Sequence, residues 1–357
     1  MKVAIVTQPL GLNAGGMLQN LALQRALGAL GHDAVTINYQ PRRKFGLREI
    51  VRMTARNART LLRRMRGSND YMMYVCDFVP SRANRGFIRR NIACTPECGS
   101  YSPVDGADAY VTGSDQVWRP RYNRDTLADQ YLSFTAGLDV RRVAYAASFG
   151  VDTWEYDERQ TAECRRLAAQ FDAVSVREQS GVALCRDRLD TDAVVTVDPT
   201  LLLDRDEYAA LCSRISPRRR PTTAVYMLDP DYNKSEAVRR AARKTGARPV
   251  WLHPRATSPD RWLAAIRDAA FVVTDSFHGT VFSIIFGKPF AVMANSVRGN
   301  SRLESLRGLL GLAGRIALTP DDIDRIACEA IDYQPVYERL GRMRAETVEF
   351  LKKALAK

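Results

Sequence analysis

Histidine is scarce in this chain of 357 residues: His32, His253 and His278 are all there are. The seven cysteines (76, 94, 98, 164, 185, 212 and 328) are odd in number and scattered. Only Cys94 and Cys98 stand close, and no second pair or histidine nearby completes a zinc site. This pattern predicts free thiols, a reducing compartment and no metal. No GxSxG elbow, HExxH or CxxC pair occurs, so hydrolytic Ser–His–Asp chemistry and zinc-protease chemistry have no motif to rest on. Long apolar runs are missing too, since none reaches the ~20 residues of a membrane span. The nearest, 271–294, is interrupted by Asp275, His278 and Lys288. The opening MKVAIVTQPL lacks the extended apolar core of a signal peptide and reads as a first β-strand, which predicts a cytoplasmic protein.

Apolar residues make up 46% of the chain and charged ones 26%, enough to bury a full core and enough chain for two domains. The charge is lopsided. A net +13 makes an anionic partner plausible, whether a phosphorylated substrate, a membrane surface or nucleic acid. Between Arg42 and Arg66, ten Lys and Arg residues stand against the single acid Glu49, with Leu47, Ile50, Val51, Ala55, Ala58, Leu61, Leu62 and Met65 near helical spacing. Such a basic amphipathic helix suits an anionic lipid surface. A solvated helix packing one face on the protein fits the same pattern equally well. Nucleic acid is the weakest of the three partners, because the stretch has few aromatics for base stacking.

Strand-length apolar runs alternate with helix-length stretches, which predicts α/β architecture with parallel sheets. Strands are expected near 2–7, 34–37, 109–112, 143–147, 173–176 and 193–197, then near 224–228, 249–252, 271–274 and 291–293. Helices are expected near 17–31, 155–170, 234–245 and 259–269, and through the tail 321–357. The linker-like Pro217-Arg218-Arg219-Arg220-Pro221 places a boundary near 204–221. The chain then divides into a Rossmann-like domain 1–205, with a basic insertion over 41–105, and a Rossmann-like domain 206–357 with a helical tail. Two such halves around a cleft, closed by a C-terminal helical segment, form a glycosyltransferase-B-like arrangement.

Polar clusters interrupt this pattern where strands end. In FVVTDSFHGTVFSIIFGKPFA (271–291), an apolar strand stops at Asp275-Ser276-Phe277-His278-Gly279-Thr280 and an apolar helix follows. Ligands bind at such carboxyl ends because a helix N-terminus offers unpaired N–H groups and a positive dipole end. The plain alternative is a turn with Ser276 or Thr280 as N-cap and His278 merely packed. Asn13-Ala14-Gly15-Gly16 precedes the first helix, where paired glycines allow close backbone approach, although a tight turn explains them equally well. Gly113-Ser114-Asp115-Gln116-Val117-Trp118 offers a sugar donors, acceptors and a ring to stack on, with Asp115 as a helix cap the alternative. Arg177 in Ser175-Val176-Arg177-Glu178 is placed to grip a phosphate or carboxylate, or to make an ordinary surface turn with Glu178. Val197-Asp198-Pro199-Thr200 reads as structural, between the domains. His32 reads as a helix C-terminal cap and His253 as a loop residue or a cleft residue.

Together NAGGMLQNLALQ (13–24), YVTGSDQVW (110–118), VAYAASFG (143–150), SVRE (175–178), VDPTLLL (197–203) and VVTDSFHGTVFSIIFGKPF (272–290) resemble the polysaccharide pyruvyl transferase family. The likeness runs in order over about residues 3 to 312, and departs from the commoner pattern at Ala14, usually aromatic, and at Asp275, often asparagine. The resemblance implies transfer of a pyruvyl unit from phosphoenolpyruvate to a sugar of a polysaccharide or lipid-linked glycan, forming a ketal and releasing phosphate without a further cofactor. It implies His278 and Asp115 as catalytic groups, an imidazole of ordinary pKa ~6.5 serving as acid or base near neutrality. Arg177, Ser276, Gly279 and Thr280 would then hold the donor, and Asn13, Gly15, Gly16, Ser114, Gln116 and Trp118 the acceptor. A nucleotide-sugar glycosyltransferase and a non-catalytic glycan-binding protein remain as alternatives on the same architecture. Acceptors of this kind would give the basic 42–66 stretch a use at the inner membrane face.

Overall fold

The first sheet is wound in the order β2-β1-β3-β4-β5-β6, with every pairing parallel. Its strands are β1 (Lys2–Val6), β2 (Asp33–Thr36), β3 (Ala109–Asp115), β4 (Arg141–Ala147), β5 (Ala173–Val176) and β6 (Val194–Val195). A second parallel sheet runs β11-β10-β9-β7-β8, built from β7 (Thr222–Tyr226), β8 (Arg248–Trp251), β9 (Phe271–Thr274), β10 (Phe290–Met293) and β11 (Ile316–Ala317). These elements belong to a computed structural model that describes residues 1–41, 82–254, 256–293, 308 and 310–356. The basic stretch 42–66 lies outside the described residues.

The strand interiors are apolar without alternation because both faces are covered, as parallel sheets require: β7 and β9 are buried at every residue. The covering helices are α1 (Ala14–Ala29), α2 (Arg82–Asn91), α3 (Leu127–Gln130), α4 (Glu158–Ala168), α5 (Gln179–Leu189) and α6 (Arg205–Leu211). In the second half they are α7 (Tyr232–Thr245), α8 (Pro259–Arg267), α9 (Phe277–Ile285), α10 (Asp322–Ile326) and α11 (Gln334–Ala354). None of the described helices is long and apolar enough to cross a membrane.

Among the described helices, α1 and α11 pack on both halves. Leu23 and Leu27 of α1 pack on the first sheet, while Met17, Leu18 and Leu21 join a cluster with Trp262 of α8 and Phe282 of α9. Apolar on nearly every side, α1 is therefore buried between the domains rather than amphipathic on a surface. The long α11 starts on the second domain through Val336 and Leu340 and ends on the first sheet through Leu351 and Ala354. Arg141 Nε donates to Ala354 O at 2.9 Å, and Arg344 donates to Leu201 O and, at 2.9 Å, to Leu203 O.

The molecule is thus two Rossmann-like α/β domains in a glycosyltransferase-B-like arrangement. The strand order reverses direction between β1 and β3 in one sheet and between β7 and β9 in the other. Crevices at the carboxyl ends of strands form at such reversals, and the SDQVW and SFHGT segments leave β3 and β9 there.

Candidate active site

Two helix N-termini meet between the domains. Asn13 caps α1, its Oδ1 accepting the Gly16 N–H at 2.7 Å. Ser276 caps α9, its Oγ accepting the Gly279 N–H at 3.5 Å. His278 stands in the first turn of α9 and Gly15 in the first turn of α1. They are so close that a Cβ on Gly15 would lie 2.4 Å from His278 Cγ and Nδ1. The His278 side chain is 7% exposed, and its Nε2 has no hydrogen-bond partner among the described residues.

Below this histidine lies a charged cluster from the first domain. Arg177, at the end of β5, donates from Nη1 to Asp198 Oδ2 at 2.6 Å and from Nη2 to Asp115 Oδ1 at 3.2 Å. Its guanidinium carbon sits 4.5 Å from the centroid of the Phe277 ring of α9, a cation–π contact across the domains. Ser114 Oγ donates to Asp198 Oδ2 at 3.0 Å, and Thr200 donates to Oδ1 from N at 3.0 Å and from Oγ1 at 2.6 Å. His278 Nε2 stands 3.7 Å from Asp198 Oδ2, an ion-pair separation rather than a hydrogen bond.

The electrostatics differ from the sequence expectation. Burial pushes the Asp198 carboxyl up, but the adjacent His278, the Arg177 charge and the Thr200 hydroxyl outweigh it and hold the group well below the usual carboxylate range. Arg177 was expected as a free grip for an anion; it is already paired with two carboxylates, and its side chain is 2% exposed. Asp198, read from the sequence as structural, is the member that meets Arg177, Ser114, Thr200 and His278. Thr200 two residues on is the local signal for an Asx-type turn, yet nothing in VDPT reveals that its second oxygen meets Arg177 and Ser114.

Several expected site residues serve the architecture instead. The Thr280 hydroxyl bonds back to Ser276 O at 3.1 Å, and the Ser276 and Gly279 N–H groups already have acceptors. Gly279 is glycine because a Cβ there would lie 2.2 Å from Thr274 Oγ1 of β9. These three groups form a helix start locked onto its strand. Trp118 is fully buried, stacked on Tyr131 with centroids 4.6 Å apart, and its Nε1 donates to Gln130 O. It belongs to the first domain's core and has no face for a sugar. Gln116 Oε1 accepts from Arg119 at 3.0 Å and packs so tightly on Gly150 that a Cβ would lie 2.0 Å away. Ser114 is likewise engaged, by Asp198 and by Gln19, whose Oε1 accepts the Ser114 N–H at 3.2 Å. Asp115 keeps its place at the cluster's outer side, with a side chain 17% exposed.

Other motif residues acquire definite roles. Glu178 turns away from Arg177, its Oε1 accepting from Ser148 Oγ and from the N–H groups of Phe149 and Gly150. Asp275 accepts from the Leu228 and Asp229 N–H groups and from Lys234 Nζ at 2.7 Å, fastening the end of β9 to the loop after β7. His253 Nδ1 accepts the Ala256 N–H in a local turn. Two open hollows of about 500 and 450 Å³ lie on the first domain, beside Arg121 and Arg124 and beside Trp154 and Leu184; neither includes a residue of the cluster.

A parallel two-domain scaffold whose opposed carboxyl edges bring a histidine of one half onto an arginine–carboxylate set of the other defines a protein of the glycosyltransferase-B class of folds. The solved structures agree. A UDP complex of MnaA from S. aureus aligns with a TM-score of 0.51 at 11% identity, covering 99% of this chain and 96% of that one. A UDP-GlcNAc 2-epimerase from Neisseria meningitidis bound to UDP-GlcNAc aligns with the same score and identity, covering 99% of this chain and 100% of that one. At this identity the likeness is one of fold. No curated protein matches the chain. The family description Polysaccharide pyruvyl transferase matches residues 13–297, and the chain belongs to that family.

Proposed function

We propose that the protein transfers a pyruvyl group from phosphoenolpyruvate to a sugar of a polysaccharide or lipid-linked glycan precursor, forming a cyclic ketal and releasing phosphate. The observation that carries this reading is the convergence of His278, from the second domain, on Arg177 and Asp198, from the first. The donor's methylene carbon must gain a proton, and the sugar's two hydroxyls must lose theirs. His278, whose Nε2 is buried with no hydrogen-bond partner among the described residues, is suited to protonate the methylene and so make the adjacent carbon electrophilic. One hydroxyl adds to that carbon, its proton passing toward Asp115 at the cluster's outer side. The second hydroxyl then displaces phosphate. One of the two hydroxyl protons ends on the new methyl group and the other on the released phosphate, so the balance closes with no further reactant. Arg177, held by Asp198 and Asp115, supplies the positive charge toward which the donor's negative charge is drawn.

Phosphate release from phosphoenolpyruvate in the presence of a glycan acceptor, together with a pyruvyl mass increment on that acceptor, tests the reading. His278→Ala should abolish both, and undiminished release would remove His278 from the chemistry. Isothermal titration of phosphoenolpyruvate against nucleotide sugars separates this reading from a glycosyltransferase. For the basic 42–66 stretch the same reading supplies a role at the cytoplasmic membrane face. Sedimentation with liposomes should then depend on anionic lipid and weaken with salt.

A further inference from the structure

We propose that Asp198 is the positioning residue of this site: one carboxylate oxygen holds Arg177 and confronts His278, fixing both for the transfer and acting as a built-in counter-charge that limits how tightly an anion is held between them. The inference rests on the reading of Arg177 and His278 as the groups that meet the donor. Asp198 is 1% exposed, and each oxygen has its own partners. Oδ1 is held by Thr200 through two donors, which orients Oδ2 toward Arg177 at 2.6 Å, Ser114 at 3.0 Å and His278 at 3.7 Å.

The backbone on either side is pinned from three other elements. Tyr145 of β4 donates to Val197 O at 2.8 Å, Tyr208 of α6 donates to Thr200 O at 2.9 Å, and Thr347 Oγ1 of α11 accepts the Val197 N–H at 3.2 Å. A carboxylate fixed this firmly brings a first-domain cation and a second-domain imidazole into one geometry. Its charge, with that of Asp115, also opposes the arrival of a multiply charged donor. A site that must release phosphate benefits from that opposition, because anion affinity realised equally in substrate and product does not speed turnover.

The test uses inorganic phosphate as the probe, measured by isothermal titration, alongside steady-state phosphate release from phosphoenolpyruvate. Asp198→Asn keeps the shape and removes the charge. It should bind phosphate about tenfold more tightly than wild type, because a neighbouring negative charge is gone. In the same variant kcat should fall about 100-fold as the geometry loosens. Asp198→Glu restores the charge in the wrong place, so phosphate affinity should return close to wild type while kcat stays low. Phosphate binding that is unchanged or weaker in a folded Asp198→Asn protein overturns the proposal. If wild type releases no phosphate from phosphoenolpyruvate, the functional reading fails, yet the binding comparison still judges Asp198. Should Asp198→Asn not fold, a crystal structure of wild type with phosphate decides. With phosphate well above its wild-type Kd, phosphate between Arg177 and His278 supports the proposal and phosphate elsewhere overturns it.

Discussion

Gly15 and His278 touch across the two domains at a distance that leaves no space for a single methyl group. The pairing makes the glycine-rich start of α1 one wall of the histidine's pocket. A glycine inside a helix ordinarily costs about 0.5–1 kcal/mol relative to alanine, so its presence here reflects the contact and not helix formation.

Gly15→Ala should therefore lose activity although it favours the helix. Displacing the His278 ring by about 1 Å is expected to lower phosphate release about 100-fold, with little change in far-ultraviolet circular dichroism. An equally active and more stable Gly15→Ala protein would mean that the two residues do not meet during turnover.

Trp118→Ala should act on stability and not on acceptor recognition. Truncating this stacked core residue is expected to cost about 3–5 kcal/mol, read from urea denaturation. Trp118→Phe retains a ring against Tyr131 and should leave the acceptor KM within twofold of wild type, about the limit that a residue without substrate contact allows.

Asp275→Ala leaves Lys234 buried without its carboxylate and two N–H groups without an acceptor. The loss is expected to be about 3–5 kcal/mol, seen as a lower urea midpoint at unchanged slope. Asp275→Asn keeps an acceptor for the Leu228 N–H and should cost less, about 1–3 kcal/mol.

Acid sensitivity should trace to Asp198. Its folded carboxyl is held well below the usual range, by His278, Arg177 and Thr200 acting against burial. A depressed folded pKa stabilises the protein above the unfolded value of ~3.9, and the stabilisation is lost as pH falls below that value toward the folded one. Urea-derived stability should fall in wild type from about pH 5 to pH 3 and fall less steeply in Asp198→Asn. Identical slopes in the two proteins would place the acid sensitivity elsewhere.

Much of the architecture was legible in the chain. The runs at 173–176 and 271–274 form strands at those residues, and the β1, β3 and β7 runs differ from expectation only at their ends. The helix Gln179–Leu189 was not foreseen, because the charged Arg177-Glu178 after the strand was weighed as an anion grip or a surface turn and not as a buried helix start. By sequence alone, polar residues at strand ends are expected to be available to a ligand. Ser276, Thr280, Ser114 and Gln116 instead satisfy buried donors and acceptors, which any helix start or strand end inside a protein must do.

The sequence by itself determined the parallel α/β elements, the strand-end placing of the polar motifs and the family, because periodicity and local motif are properties of neighbouring residues. Tertiary structure decided the partners. Asp198 meets Arg177 across 21 positions, and Gly15 meets His278 although they lie in different domains. Such contacts depend on how two sheets and the helices between them pack, and nothing in a local stretch of chain encodes which charge will lie opposite. That packing buried Trp118 in the core and placed Asp198, expected as a structural residue between the domains, at the centre of the cluster.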